Sequence, residues 1–595
     1  MAKKSTIAFP QLIYVRNLFT VVKNVKQAHE CLEHGETQEF QDDIEYILPG
    51  LKDSQPVPTR CLSTMSLATK CNVPAFRMHL RAHGVIMEIL GILHDAAAHA
   101  PLALCVSALL FMNSRDRLVM DLERPALTLM LSLLSADSNR SFDSTDSEME
   151  KMRLKVSTML EAFRKEGNVK NFILEEISTG FLAMETLLSL TSKKAGDWFK
   201  EELRTLGGLD HIVNTVNASV EDFDEFSIDP SPTMLDRCRK LNRCLRVLEN
   251  VTYLNSDNQT YLMTYKSAVL VKSLYKAIKS CENCLPFNEV GCVGDKLDEG
   301  CHGFVLYSCL LANLRVLLNL THENMVGATR VGQMSGFIPT LLSTILRLPQ
   351  FIPSNHRFDL LVLGLGLLIN LVEECDHNQR MLLDATTDTP FEHSVKRKVD
   401  PLEAFALLFN LRLEAAKKFE VEHDRELDEK KKRKEEKRSY GSNQKMNVRK
   451  SGQWKESDSG LEWIVNPGDE EEAAEDGEEK EDREEEEERG LEDDPLVPSS
   501  QEEQEDLTKA LHKAGKHMED SIIAAYVSLL VGCLIQHNSH LAEKVRGSLP
   551  EESFDSMIRM LKKFLGFMNF TSATTGNTGS KSIMRVIGIL DASNC

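Results

Sequence analysis

The sequence predicts an all-α fold, an irregular HEAT/armadillo-like helical-repeat solenoid, and three observations carry that expectation. Of the 595 residues, 42% are hydrophobic but only 6% aromatic, and leucine dominates the long apolar stretches over valine and isoleucine. Such a composition favours helices over sheets. One pattern also recurs along the chain: an apolar helix ending in a Leu-x-Leu-Thr-like step, a polar turn with Asn or Asp, and a second helix. Third, one helix pair cannot bury its own apolar stripe, so recurring pairs must stack to make a continuous core.

The copies begin at Thr64, Ala108, Leu187, Leu248, Leu317, Leu368 and Val531. Aligned on the central step, the first two lie about 45 residues apart, the spacing of paired-helix units. Later gaps stretch to hold insertions. Gly207 and Gly208 follow FKEEL and offer a left-handed cap, after which Leu209-Asp210-His211 starts the next helix. Polar breaks at 136–146, 218–233, 284–303 and 384–400 read as surface insertions.

These shifts divide the chain into a tail at 1–20, a repeat domain over 21–413, a charged and largely disordered insertion over 414–505, and C-terminal helices over 506–595. Within the insertion, Gln453-Trp454 and Trp463-Ile464 hold two of only three tryptophans, which predicts a short piece that docks on the repeats.

The formal charge of −21 misleads. Between Asp469 and Asp506 stand 22 acidic residues against Lys480, Arg483 and Arg489, a local net of −19. The rest of the chain is close to neutral, so a basic field for wrapping nucleic acid is not expected, nor is direct sequence-specific binding to it. No uninterrupted apolar run reaches the roughly 18–20 residues of a bilayer span. The longest, Leu360 to Val372, stops at Glu373 and Glu374, so no membrane protein is expected. The amino-terminal stretch lacks acids before Glu30, but Arg16 and Asn17 interrupt its apolar core, which argues against a targeting peptide.

Most of the 14 cysteines, including Cys105, Cys244, Cys309 and Cys533, fall inside apolar helical patterns, where a reduced thiol packs as a small hydrophobe. A reducing compartment follows. The sequons at Asn250 and Asn319 lie in the same patterns, where a glycan would not fit.

Chemistry is thinly signalled. Cys281-x-x-Cys284, with Cys292 and Cys301-His302 downstream, is the best zinc candidate, but its spacing is irregular and a second CxxC is missing. No metal and no cofactor are expected. The chain has no G-x-S-x-G, HExxH or P-loop, and Gly364-Leu-Gly366 sits inside a helix pattern as packing. His79, His83, His512 and His517 read as surface or capping residues, so no catalytic residue is assigned and no enzyme is expected. Lys430 to Lys434, KKKRK, has the form of a nuclear import signal, with a solvated helix face as the alternative.

Several long strings resemble the C-terminal domain of the wings apart-like (Wapl) family of cohesin release factors. They include VVKNVKQAHECLEHGETQEFQDDIEYIL from Val21, FRMHLRAHG from Phe76, METLLSLTSKKAGDWFKEELRTLGGLDHIV from Met184, RFDLLVLGLGLLINLVE from Arg357, AGKHMED from Ala514 and MLKKFLGFMNF from Met560. The resemblance implies a nuclear, chromatin-associated regulator of sister chromatid cohesion. It would bind the cohesin complex (kleisin, stromal-antigen subunit and ATPase heads) and the Pds-type regulatory subunit, and promote cohesin release by favouring opening of the gate between kleisin and an ATPase subunit. Carried onto matching positions, it points to Asp42 and Asp43 in QDDIEYIL and to Met518 in GKHMED as partner-binding residues. A carboxylate pair suits a basic partner, and an exposed methionine fills an adaptable apolar pocket. Arg77, Arg81 and His83 read as buttresses of the same region. Residues 1–20 look unrelated to the family, and no Phe-Gly-Phe occurs. The alternative is a cohesin-binding scaffold or competitor without release activity.

Overall fold

The computed structural model describes residues 28–115, 123–136, 147–165, 177–192, 196–224, 227–294, 296–418, 421, 425, 452–457, 460–465, 501–571 and 578–594. The tail, the KKKRK run and the acidic ribbon before 501 lie outside these. The chain divides into two compact units, Met1–Ala385 and Thr386–Cys595.

The first unit is all-α in its repeats. It opens with α1 (Ala28–Leu51), α2 (Val57–Lys70), α3 (Pro74–Ala82), α4 (Val85–Ile92), α5 (Ala100–Asn113), α6 (Arg124–Ser135) and α7 (Ser147–Lys165). Three-helix units follow: α8 (Thr179–Ser192), α9 (Asp197–Thr205) and α10 (Gly208–Val220); then α11 (Pro232–Thr252), α12 (Ser256–Thr264) and α13 (Val269–Cys284). The last are α14 (His302–Thr321), α15 (Met325–Gly332) and α16 (Phe337–Leu346), with α17 (Arg357–Val372) and α18 (Asp376–Leu383) closing the unit.

The long helices α2, α5, α8, α11, α14 and α17 pack each on the next as one row, and α10, α13 and α16 form a second. Helices in the middle of such a row meet neighbours on every side. Accordingly every residue of α5 from Leu102 to Asn113 is buried, as are most residues of α14. The copies read from the sequence thus mark the ends of long helices. They differ from the paired-helix expectation in one respect: a short third helix, α9, α12 or α15, lies between the long helix and the next.

That short helix is launched the same way twice. Asn255 caps α12 by accepting from Asn258 N at 2.8 Å, and Asn324 caps α15 by accepting from Gly327 N at 2.9 Å. The residue before each cap, Leu254 or Glu323, is left-handed, with φ of 50° or 49°. Gly207, at φ 77°, makes the expected left-handed turn into α10. A Cβ at Gly364 would press on Ile345 at 2.7 Å, so this glycine serves helix packing as read.

The insertions at 284–303 and 384–400 carry small antiparallel ladders, β1 (Cys292–Val293) with β2 (Lys296–Leu297) in the first unit, and β3 (Thr387–Asp388) with β4 (Lys398–Val399) in the second. The second unit continues with α19 (residues 401–418) and a hairpin of β5 (Gly452–Ser457) and β6 (Gly460–Val465) that sets Trp454 opposite Trp463. This hairpin stands where a docking piece is expected, and its side chains lie outside the described ones. Then come α20 (Gln501–Ile535), α21 (Ser539–Arg546), α22 (Asp555–Thr571) and α23 (Thr578–Ala592), with α20 packed against α22 and α23.

Three segments, His302–Thr321, Ser354–Val372 and Met518–Ile535, have the length and mean hydropathy of a bilayer span, contrary to the expectation from uninterrupted runs. Isolated residues such as Asn319 and Asn370 break the runs without lowering the average enough. Neighbouring helices bury 72%, 56% and 61% of these windows, so their apolar character supplies the core. The thirteen described cysteines are free.

Candidate functional site

Helix α1 is built on two faces. Ile44, Ile47 and Leu51 recur at helical spacing and are buried, and Phe40 meets the Phe76 ring edge-on at 5.3 Å. The opposite side carries Glu39, Asp42, Glu45 and Tyr46, all exposed, with Tyr46 87% accessible. This is an acidic ridge with one aromatic, suited to a basic partner.

The two adjacent aspartates differ in their surroundings. Asp42 is exposed and, among the described residues, accepts a local bond from Gln38 Nε2, at 2.8 Å. Asp43 is half-buried, and its Oδ2 lies 2.6 Å from Lys70 Nζ on α2. Asp42 is thus available to a partner, whereas Asp43 is engaged within the fold.

Helices α2 and α3 pack beneath the ridge. Arg77 is buried and donates to Asn72 O at 3.1 Å, and Arg81 donates to Asn113 O at 2.5 Å. His83 ends α3, its ring 4.3 Å from that of His79. Burial, and then the charge of His83, push His79 below its ordinary value. Arg60, buried at 2% exposure, forks onto Asp95 at 2.8 and 2.6 Å and reaches Leu51 O at 3.0 Å, anchoring the end of α1. The Arg60 hydrogen bond holds the Asp95 carboxyl below the usual carboxylate range. Sequence reasoning missed this pair, because its members stand 35 residues apart.

Met518 belongs to the second unit, at the start of the apolar part of α20, and is 39% exposed. Two residues on, Asp520 accepts from Arg412 Nη1 at 2.9 Å, and Arg412 also pairs with Glu392. The side chains of Lys516 and His517 lie outside the described ones.

The zinc candidate does not assemble from the residues that suggested it. Cys284 Sγ donates to Ser227 O at 3.4 Å, Cys301 Sγ caps α14 by accepting from Phe304 N at 3.3 Å, and Cys292 is exposed on β1. Cys281 instead points into the core. The first unit also holds an open cleft of about 440 Å³. Lys272, Arg330, Ser267, Gln333 and Met334 line it with three others, none of them a carboxylate or histidine. Such a lining offers charge for binding and no acid–base pair.

Fold and surface together define an all-α helical-repeat protein whose distinctive face is an acidic helix ridge. Residues 24–378 match the family model described as wings apart-like protein regulation of heterochromatin. The chain belongs to the wings apart-like family. It is 42% identical to the human wings apart-like protein homolog over 97% of this chain and 47% of that protein. Identity to the Drosophila melanogaster protein wings apart-like is 33%, over 92% of this chain and 29% of the relative. The Caenorhabditis elegans wings apart-like protein homolog 1 is 28% identical over 91% of this chain and 67% of its own length. The chain therefore spans less than half of the human and fly relatives.

Proposed function

We propose that this chain binds the cohesin complex in the nucleus and promotes its release from chromatin by favouring opening of the gate between kleisin and an ATPase subunit. Family membership across residues 24–378 is the observation that carries the reading. In it the protein is a regulator without catalysis of its own. ATP turnover belongs to the partner's heads, and this chain biases a two-state gate by binding its open form more tightly. Kleisin, the stromal-antigen subunit, the ATPase heads and the Pds-type subunit are the partners. The acidic ridge bearing Asp42 supports a basic docking site, and half-exposed Met518 supplies an apolar contact. Asp43 contributes through the ridge it shapes with Lys70.

A pull-down against reconstituted cohesin at ~150 mM salt, followed by an unloading assay on chromatin-bound cohesin, tests this. Binding with unloading is the expected result. Binding without unloading favours the scaffold or competitor reading, and absence of binding overturns both.

A further inference from the structure

The core of the first unit gathers three thiols at one point, away from the acidic ridge. Cys238 on α11, Cys281 on α13 and Cys309 on α14 bring their sulfurs within 4.8 Å of one another, and all three residues are fully buried. They come from two consecutive repeats, so the packing of α11 and α13 on α14 builds the cluster and no local motif announces it. Asn313 Nδ2 donates toward Cys309 Sγ at 3.5 Å. Asn313 Oδ1 and Ser280 Oγ, next to Cys309 and Cys281 in the helices, are buried without a hydrogen-bond partner.

A trigonal set of thiolates with metal–sulfur bonds of about 2.3 Å separates its sulfurs by roughly 4 Å, which these side chains reach by small rotations. We propose that Cys238, Cys281 and Cys309 form a buried site for a single thiophilic metal ion. Three sulfurs select soft ions over magnesium or calcium. Among the described residues no histidine or carboxylate joins the set. Zinc in structural sites takes four protein ligands, so copper(I), which accepts three, is the better match. Each bound ion displaces up to three thiol protons to solvent. With no exposed sulfur, the ion enters during folding or local opening.

The test uses the full chain produced in medium supplemented with zinc in one arm and copper in the other, purified anaerobically. Elemental mass spectrometry is expected to find about one ion per chain in at least one arm, and the arm identifies the ion. Cys281→Ser and Cys309→Ser should lose it at least tenfold while keeping their helical circular dichroism, and Cys284→Ser and Cys292→Ser should keep it. X-ray absorption of the loaded wild type, which needs no variant, should show a first shell of three sulfurs. Background metal in both arms overturns the proposal, as does full loading in Cys309→Ser or an oxygen- or nitrogen-rich shell.

Discussion

Asn319 Nδ2 donates to Thr252 Oγ1 across 3.1 Å and ties the long helix of one repeat to that of the repeat before it. The same contact recurs from Asn250 to Thr191 at 3.1 Å and from Asn370 to Thr321 at 3.2 Å. Each threonine spends its own proton on a carbonyl four residues back in its helix, at 2.6–2.9 Å, which leaves its lone pair facing the next repeat. A polar ladder thus runs through an apolar seam and fixes the register of the stack. It also explains why Asn250 and Asn319, though in sequons, are engaged inside the fold.

Replacing Asn319 by leucine is expected to cost about 1–2 kcal/mol, because Thr252 Oγ1 loses this donor and Glu249 O, the other acceptor at 2.9 Å, is left with the bonds from its own helix. Thermal melts of Asn319→Leu, Thr252→Val and the double variant measure this. The double should fall short of the summed single effects; strict additivity would mean that the two side chains do not act on one another.

The repeat copies were legible because a long buried helix must be apolar with a period near 3.6, and each copy ends at a fixed polar step. The short helices were legible as the second helix of each copy: DHNQRMLL is Asp376–Leu383, although it has only three apolar residues and packs beside α17. That a unit takes three helices and not two was hidden. Pairings across repeats were equally hidden. Asp42 could be read as solvent-facing from the pattern around Ile44 and Ile47, but nothing near Asp43 announces Lys70, which approaches only when α2 folds back. Cys281 and Cys284 read as partners by spacing, yet the chain sends one toward Cys309 and the other toward Ser227.

Arg60 should tolerate the loss of Asp95 poorly. Asp95→Ala leaves a guanidinium at 2% exposure with carbonyl partners only, and the expected cost is about 3 kcal/mol, the low end for a broken buried pair because Asp95 is itself 30% exposed. Urea unfolding followed by helical signal measures it. Arg60→Met with Asp95→Leu should recover most of the loss; a double variant as weak as the single would show that the fork itself, and not the stranded charge, matters.

Gly332 and Gly91 make a matched pair. A Cβ on Gly332 would overlap the buried Asn378 side chain, which donates to Ala328 O at 3.0 Å and Leu371 O at 2.8 Å. Gly332→Ala should therefore cost about 2 kcal/mol. Gly91 has open space around it within α4, so Gly91→Ala should be neutral or add about 0.5–1 kcal/mol. Equal melting temperatures for the two variants would contradict this account.

Acid should weaken the fold before its carboxylates titrate. Burial, and then Lys240, hold His211 below its ordinary value, and its Nδ1 lies 3.2 Å from Ser135 Oγ. The unfolded chain takes up a proton near pH ~6.5 that the folded protein refuses. Stability is thus full above that pH and declines as pH falls through and below it. His79 acts with the same sign. Urea midpoints at about pH 7.5 and 5.5, on either side of the histidine range, should differ less in His211→Gln than in the wild type. An unchanged difference would remove His211 from the explanation.

The acidic ridge makes a sharper prediction, because its two aspartates should separate stability from binding. Among the described residues Asp42 has no partner beyond its own helix, so Asp42→Lys should leave the melting temperature alone and weaken cohesin capture. Asp43→Lys places two cations together at 2.6 Å spacing and must displace one, so it should lose up to about 1 kcal/mol as well as binding. Exchanging the pair, Asp43→Lys with Lys70→Asp, restores the attraction and should restore stability. Any deficit in capture that survives the exchange then belongs to the charge at position 43 itself, and full capture would assign Asp43 to shaping the ridge. If Asp42→Lys captures cohesin as well as wild type at ~150 mM salt, the ridge is not the docking surface.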